Sequence, residues 1–330
     1  LVKNRACGGR QLAEDMSRPA TPDVSHSAAQ SPGGAELAAR LAAFINPETS
    51  DEPIVDILIA ERCPSFRKHW TWPLVRPMLY ALLDYRKARA WADEIGTLTS
   101  GRECFDVLGR KMALDIRAHG LNHLPPTGRA VVISNHPTGL ADGNAALGAV
   151  WKVRDDIEVM ANADACRVNV RFAEIVIPVE WVADKRSVSK TRETLRRTSA
   201  AMAAEKMLLV FPSGRLAEWK QGKLTDVEWF PTAVSLARKN KAPVVPLHMK
   251  AQNSWLYYRL CDINPELRDI TLFHEVLNKQ GSTFELFFGP PIPPEHLAGD
   301  GEAVTERLRR YVEDVLPNDC EKPFEPLPGS

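Results

Sequence analysis

The chain is predicted to be an α/β protein with a central, mostly parallel sheet flanked by helices and an N-terminal helical subdomain in front of it. Three observations predict this. Short β-branched and apolar runs recur at residues 131–134, 157–161, 175–182, 207–211, 243–249 and 283–288. Helical patterns at 140–150, 188–206, 229–239 and 302–316 lie between and after them. The apolar runs are continuous, as in strands buried on both faces, and strands that alternate with helices imply crossover connections.

The elements follow in order. Residues 1–35 are rich in Ser, Pro, Gly and Ala without apolar periodicity, a composition that cannot bury a core and reads as disorder. The chain begins with Leu1, whereas Met16-Ser17 has the look of a natural start, so residues 1–15 are expected to come from an alternative start or an upstream extension. Neither beginning has the apolar centre of a secretion signal. Residues 36–112 read as the helical subdomain, 113–300 as the catalytic domain, and 301–330 as a terminal helix and tail. Within the subdomain, residues 70–91 mix Trp70, Trp72, Leu74, Met78, Leu82 and Trp91 with Arg76, Arg86, Lys87 and Arg89. Aromatic and basic residues together suit a helix lying in a membrane interface, and helices packed on a core explain the apolar positions equally well.

Composition narrows the function. At 44% hydrophobic and 25% charged, the 330-residue chain has ample core for a globular protein. Lys+Arg and Asp+Glu both number 42, so no overall field draws it to nucleic acid. No uncharged apolar run of about 18 residues occurs, so no transmembrane helix is predicted. Six cysteines, at 7, 63, 104, 166, 261 and 320, stand singly, without zinc spacing or a disulfide framework, as in a reducing cytosol. His119 and His123 are four apart, but Gly120 and Pro125-Pro126 make that stretch a turn, and no metal site is expected.

The chemistry is expected after the first buried strand. Asn135, Pro137 and Gly139 break it, and a helix restarts at Leu140. Ligands of open α/β sheets collect at the carboxyl ends of strands, which places His136 at the crevice and Asp142 about a turn and a half into the helix. A carboxylate there can orient the imidazole and keep it as a base toward a hydroxyl or amine. Alone, the pair is also what a structurally capping histidine would look like.

Three further blocks follow in fixed order: Phe172-Ala-Glu-Ile-Val-Ile-Pro-Val-Glu180, Leu208-Leu-Val-Phe-Pro-Ser-Gly-Arg215 and Ala242-Pro-Val-Val-Pro-Leu247. Together with Asn135-His136 and Asp142, they make the chain resemble the glycerolipid acyltransferase superfamily, the lysophosphatidate acyltransferases and their relatives, over roughly residues 115–290. The five residues between His136 and Asp142 resemble its hemolysin-like branch. Ser213 stands where the family's Phe-Pro-Glu-Gly-Thr-Arg motif has glutamate, and the threonine before the arginine is missing. No arginine sits beside Pro178, where users of glycerol phosphate carry one, and Lys185 and Arg186 are the cations that come nearest after it.

The resemblance implies a glycerolipid acyltransferase-like fold and direct transfer of a fatty acyl group, with no cofactor beyond the co-substrate, acyl-CoA or acyl-carrier-protein. His136, held by Asp142, would deprotonate the acceptor. Backbone N–H groups around Pro212 to Arg215, or near Gly139, would receive the oxyanion. Asn135, Gly139, Gly143, Pro212, Ser213, Gly214, Arg215, Lys185 and Arg186 are the expected substrate-binding residues, the glycines by allowing close backbone approach. Arg215 could grip an anionic group or form a salt bridge with Glu218 or Glu180. The basic run from Lys185 to Arg197 suits anionic headgroups, an acidic carrier protein or coenzyme A phosphates, or is simply a solvated face.

The acceptor is expected to be lysophosphatidate or another lysophospholipid. An N-acyltransferase, or an O-acyltransferase with a non-phosphate amino-lipid acceptor, is the alternative that the missing arginine motivates. A non-catalytic lipid- or carrier-binding protein is the alternative from another class. A cytoplasmic protein, peripheral at the inner face of the cell membrane, fits the first reading.

Overall fold

The computed structural model describes residues 33–44, 52–180, 186–220 and 222–327. The expected disorder of 1–35 therefore falls almost wholly outside the described residues. Helices α1 (Gly34–Arg40), α2 (Ile54–Arg62), α3 (Pro64–Lys68), α4 (Trp72–Leu82), α5 (Tyr85–Gly96) and α6 (Gly101–Met112) come first. Then follow β1 (Asp115–His119), β2 (Ala130–Ser134), α7 (Leu140–Val150), β3 (Ile157–Asn162), α8 (Asp164–Val168), β4 (Val176–Val179), α9 (Val188–Ala203) and β5 (Met207–Val210). A hairpin of β6 (Glu218–Lys220) and β7 (Lys223–Thr225) leads to α10 (Thr232–Asn240), β8 (Val244–Lys250), α11 (Trp255–Ile263), α12 (Pro265–Asn278), β9 (Thr283–Phe288) and α13 (Gly301–Arg310), which runs on as a π-helical turn, Tyr311–Val315.

Among the described residues seven strands form one sheet, in the order β1-β9-β8-β2-β5-β3-β4. All neighbours are parallel except β8 and β9, so the sheet is largely parallel, as the sequence predicts. Its strands alternate between two cores. Val131 and Ile133 of β2 and Leu208 and Val210 of β5 face α9, α10 and α13 through Met202, Val234 and Leu308. Ala130, Val132, Met207 and Leu209 face the other way, onto Phe105 and Met112 of α6 and Leu147 of α7. Burial of successive residues on opposite faces is why these runs show no polar alternation.

The N-terminal helices make a smaller cluster, in which Val55, Ile59, Cys63, Leu83 and Ala92 pack on Ile270 of α12. Within it the buried carboxylate of Asp56 accepts from Arg76 at 2.8 Å and Tyr80 at 2.6 Å, and also from Tyr85, pinning α4 and α5 to α2. Helix α6 packs on the sheet itself.

Several bounds differ from expectation. The run at 175–182 is a strand only over Val176–Val179, and residues 181 and 182 lie outside the described residues. The helix expected from 229 starts at Thr232, because Pro231 occupies its N-cap. Strands β1, β6 and β7 and helices α11 and α12 have no counterpart in the sequence reading; His119, read as part of a turn, ends edge strand β1. Among the described residues no helix is long and apolar enough to cross a membrane.

Candidate active site

Strand β2 delivers the site. Asn135 leaves its carboxyl end, and both polar ends of its amide are taken by Met249: Nδ2 donates to the carbonyl at 2.9 Å and Oδ1 accepts the N–H at 2.7 Å. This clamps β2 to β8 just where the chain turns toward His136. The turn needs Gly139, whose φ of 98° is a left-handed value unfavourable to other residues.

Asp142 is the third residue of α7, within the first turn and not a turn and a half along it, because the helix begins only at Leu140. Its side chain has 0% exposure and that of His136 18%, so the carboxylate is sealed while the ring reaches the surface. Oδ2 accepts from His136 Nδ1 at 2.9 Å, from the Thr138 N–H at 2.8 Å and from the Gly139 N–H at 3.0 Å; Oδ1 accepts from the Thr138 hydroxyl. The Gly139 bond is one half of a capping box, and the N-terminal helix dipole favours the negative charge. With Nδ1 donating to the carboxylate, Nε2 is the nitrogen left to accept a proton.

Strand β5 delivers the other wall. Phe211 stacks on the His136 ring, with centroids 4.2 Å apart and planes at 24°. In the loop that follows, Pro212 and Ser213 are buried, Gly214 has φ 58°, and the Ser213 hydroxyl donates to the Arg215 carbonyl at 2.8 Å. Ala217 donates its N–H to the His136 carbonyl at 2.9 Å, so the loop after β2 and the loop after β5 are tied through main chain. Two N–H groups expected for an oxyanion are already occupied: that of Gly139 by Asp142 and that of Gly214 by the Phe211 carbonyl at 3.1 Å.

Arg215 is exposed, and among the described residues it forms no ion pair. Its two expected partners are engaged elsewhere, Glu218 with Lys220 at 3.7 Å and Glu180 with Lys190 at 2.7 Å. A Cβ at Gly143 would meet open space, so no close backbone contact within the protein demands glycine there.

The basic run is less basic in space than in sequence. Arg196 is paired with Glu193 at 2.7 Å, Arg197 is turned inward to the Ala173 carbonyl, and Arg186 donates to the Glu180 carbonyl at 3.2 Å. Arg186 follows β4, which stands three strands from β2 in the sheet; Lys185 lies outside the described residues. Among the described residues no cluster of three or more His, Cys, Asp or Glu could hold a metal ion.

Sequence reading missed Asp226, and took Trp229 only as the start of a helix. Asp226, directly after the β6–β7 hairpin, accepts the His136 N–H at 3.1 Å and the Trp229 indole N–H at 2.7 Å. Burial pushes its carboxyl up to about 6. No local pattern announces it, since beyond the nearby Trp229 its partners His136 and Glu313 lie 90 and 87 residues away. Thr138 escaped too: it stands four residues before Asp142, not the three of a capping box, and Gly139 takes the N-cap.

Known proteins bear on this geometry. The sequence profile of the Acyltransferase family matches residues 58–315. The chain is 28% identical over 220 residues to the lyso-glycine lipid O-acyltransferase of Phocaeicola vulgatus, covering 64% of this chain and 75% of that protein. It is 26% identical over 220 residues to the lyso-glycine lipid O-acyltransferase of Bacteroides thetaiotaomicron, covering 64% and 76%. Among solved structures, the 1-acyl-sn-glycerophosphate acyltransferase PlsC of Thermotoga maritima superposes with a TM-score of 0.40 at 16% identity, over 81% of this chain and 97% of that one. The family match spans all seven strands of the sheet and the whole His–Asp turn, and this chain therefore belongs to the acyltransferase family, within the glycerolipid acyltransferase superfamily.

Proposed function

We propose that this protein moves a fatty acyl group from a thioester, acyl-coenzyme A or acyl-carrier-protein, to the hydroxyl of a lyso-lipid whose polar end is an amino-acid carboxylate. The observation that carries acyl transfer is the sealed Asp142 holding the Nδ1 side of a solvent-reaching His136. Nε2 takes the proton of the acceptor hydroxyl as its oxygen attacks the thioester carbonyl. The tetrahedral oxyanion collapses, the C–S bond breaks, and the thiolate leaves with the proton carried by the imidazolium. Positioned proton transfer of this kind contributes roughly 10²–10⁴-fold.

One feature supports a carboxylate over a phosphate acceptor: the relatives from Phocaeicola vulgatus and Bacteroides thetaiotaomicron are named for a lyso-glycine lipid. Arg215, exposed beside the His136 loop, offers a planar fork that can take the anionic end of the acceptor with two parallel bonds.

The acceptor would be drawn from a membrane surface. Buried packing accounts for Leu83 and partly for Trp72, Leu79 and Tyr80. It does not account for Trp70, Leu74, Met78 and Leu82, which are 78%, 74%, 71% and 53% exposed. Arg67 and Lys68 are exposed on the same segment, a pairing suited to anionic lipid.

The test is a direct competition of acceptors, a lyso-glycine lipid, the corresponding free amine and lysophosphatidate, with both thioester donors. The proposal expects the lyso-glycine lipid to be O-acylated with the highest kcat/KM. Preference for lysophosphatidate, or acylation at nitrogen, would overturn the acceptor assignment.

A further inference from the structure

We infer that Asp226 is a positioning residue that fixes the main chain of the general base through a buried carboxylate. The inference rests on the proposed role of His136 as base. Asp142 orients the ring, but a ring is only as fixed as the backbone that carries it. The His136 carbonyl is held by Ala217 at 2.9 Å, and its N–H is held by Asp226 Oδ1 at 3.1 Å. The other oxygen, Oδ2, is held by the Trp229 indole at 2.7 Å, so each oxygen has its own N–H donor.

The bracing extends in both directions. The loop after β5 is close as well, since Ser213 bears on the carboxylate. On the far side the Asp226 N–H donates to Glu313 at 2.6 Å, and Glu313 is paired in turn with Arg309 of α13. Asp226 is 3% exposed, and a charge so far from water persists only with its hydrogen bonds in place. The third block carries Ser213 where the family motif has glutamate, and Asp226 brings a carboxylate to that loop from beyond the hairpin. Side chains bearing on Asp226 are thus His136, Ser213, Trp229, Glu313 and, through Glu313, Arg309 and Lys223.

The arrangement can be tested with one clash and its relief. Asp226→Asn turns one acceptor into an NH₂ group, so either the His136 or the Trp229 N–H meets a donor. Trp229→Phe removes the indole donor, and in the double variant the asparagine oxygen is free to face His136 while its NH₂ meets no donor.

The experiment compares the full-length wild type, D226N, W229F and the double variant by kcat, by KM for acceptor and by the NMR signal of the His136 ring. The expected result for D226N is a kcat lower by roughly 10- to 100-fold, the scale of a small misplacement of a catalytic group. KM should stay within about threefold, the ring signal should shift, and the double variant should recover a large part of both changes. D226N with wild-type kcat and an unmoved ring signal would overturn the inference, as would a double variant no better than D226N. If D226N alone fails to fold, the folded double variant must show a near-wild-type ring signal. The ring signal is independent of turnover, so a wild type without acyl transfer would count against the proposed function and leave the positioning of His136 still measurable.

Discussion

Replacing Asp142 by asparagine should remove the charge behind the base while sparing the fold. Oδ2 receives three donors and Oδ1 one hydroxyl, so the asparagine oxygen can take the crowded place while its NH₂ donates to the Thr138 oxygen. What disappears is the attraction between the carboxylate and the imidazolium that forms during transfer. With charge centres ~4 Å apart and an effective dielectric of ~20, that attraction is about 4 kcal/mol. At about 1.4 kcal/mol per decade, this is nearly three decades in kcat. The assay is the initial rate of acyl transfer from a labelled thioester at saturating acceptor, alongside thermal unfolding. The expected outcome is a kcat about 10³-fold lower with the melting temperature within ~5 °C of wild type. A D142N enzyme that turns over within threefold of wild type would refute the reasoning.

Three other expectations follow from the same geometry. Arg215→Lys keeps a charge but loses the fork, so acceptor KM should rise roughly tenfold while unfolding is unchanged; an unaltered KM for a carboxylate-bearing acceptor would count against that contact. Leu74→Glu with Met78→Glu should weaken flotation with anionic vesicles, since each apolar side chain that leaves water contributes about 1.5–3 kcal/mol, and undiminished flotation would remove α4 from the membrane account. For Asp226, whose folded carboxyl titrates near 6 against an ordinary 3.8, the folded state holds the extra proton between those values, so this group's contribution to stability falls as pH rises through that window. Urea unfolding of wild type relative to D226N should therefore show a difference declining by on the order of 3 kcal/mol between pH 4 and 7, and a flat difference would place the Asp226 titration elsewhere.

The most legible parts of the chain were those whose neighbours are local or whose burial is two-sided. Strand β9 and helix α7 fall on the expected bounds, because Thr283–Phe288 is apolar and aromatic between turns and Leu140–Val150 is an alanine-rich run behind a glycine. Strand β1 escaped because it is a five-residue edge strand that turns only Ile116 and Ala118 inward, too short an alternation to stand out beside Gly120. The β6–β7 hairpin is short and carried by exposed Glu218, Trp219 and Lys220, which hold no hydrophobic signature. The His136–Asp142 pair was visible because both residues sit on one turn. Asp226 was not, since hydrogen bonds to His136 and Glu313 join positions that only the folded sheet brings together. The basic run from Lys185 reads differently once folded: composition counts charges, whereas Lys190 pairs with Glu180 and Arg196 with Glu193.

The central claim is that His136 drives acyl transfer to a lipid hydroxyl. The most direct measurement is mass spectrometry of lipid extracts incubated with isotope-labelled acyl-coenzyme A or acyl-carrier-protein and either the wild-type protein or His136→Ala. The account predicts a labelled O-acyl lipid with an amino-acid headgroup, formed by the wild type and absent with H136A. Equal labelling by both proteins, or none from either donor, would contradict it.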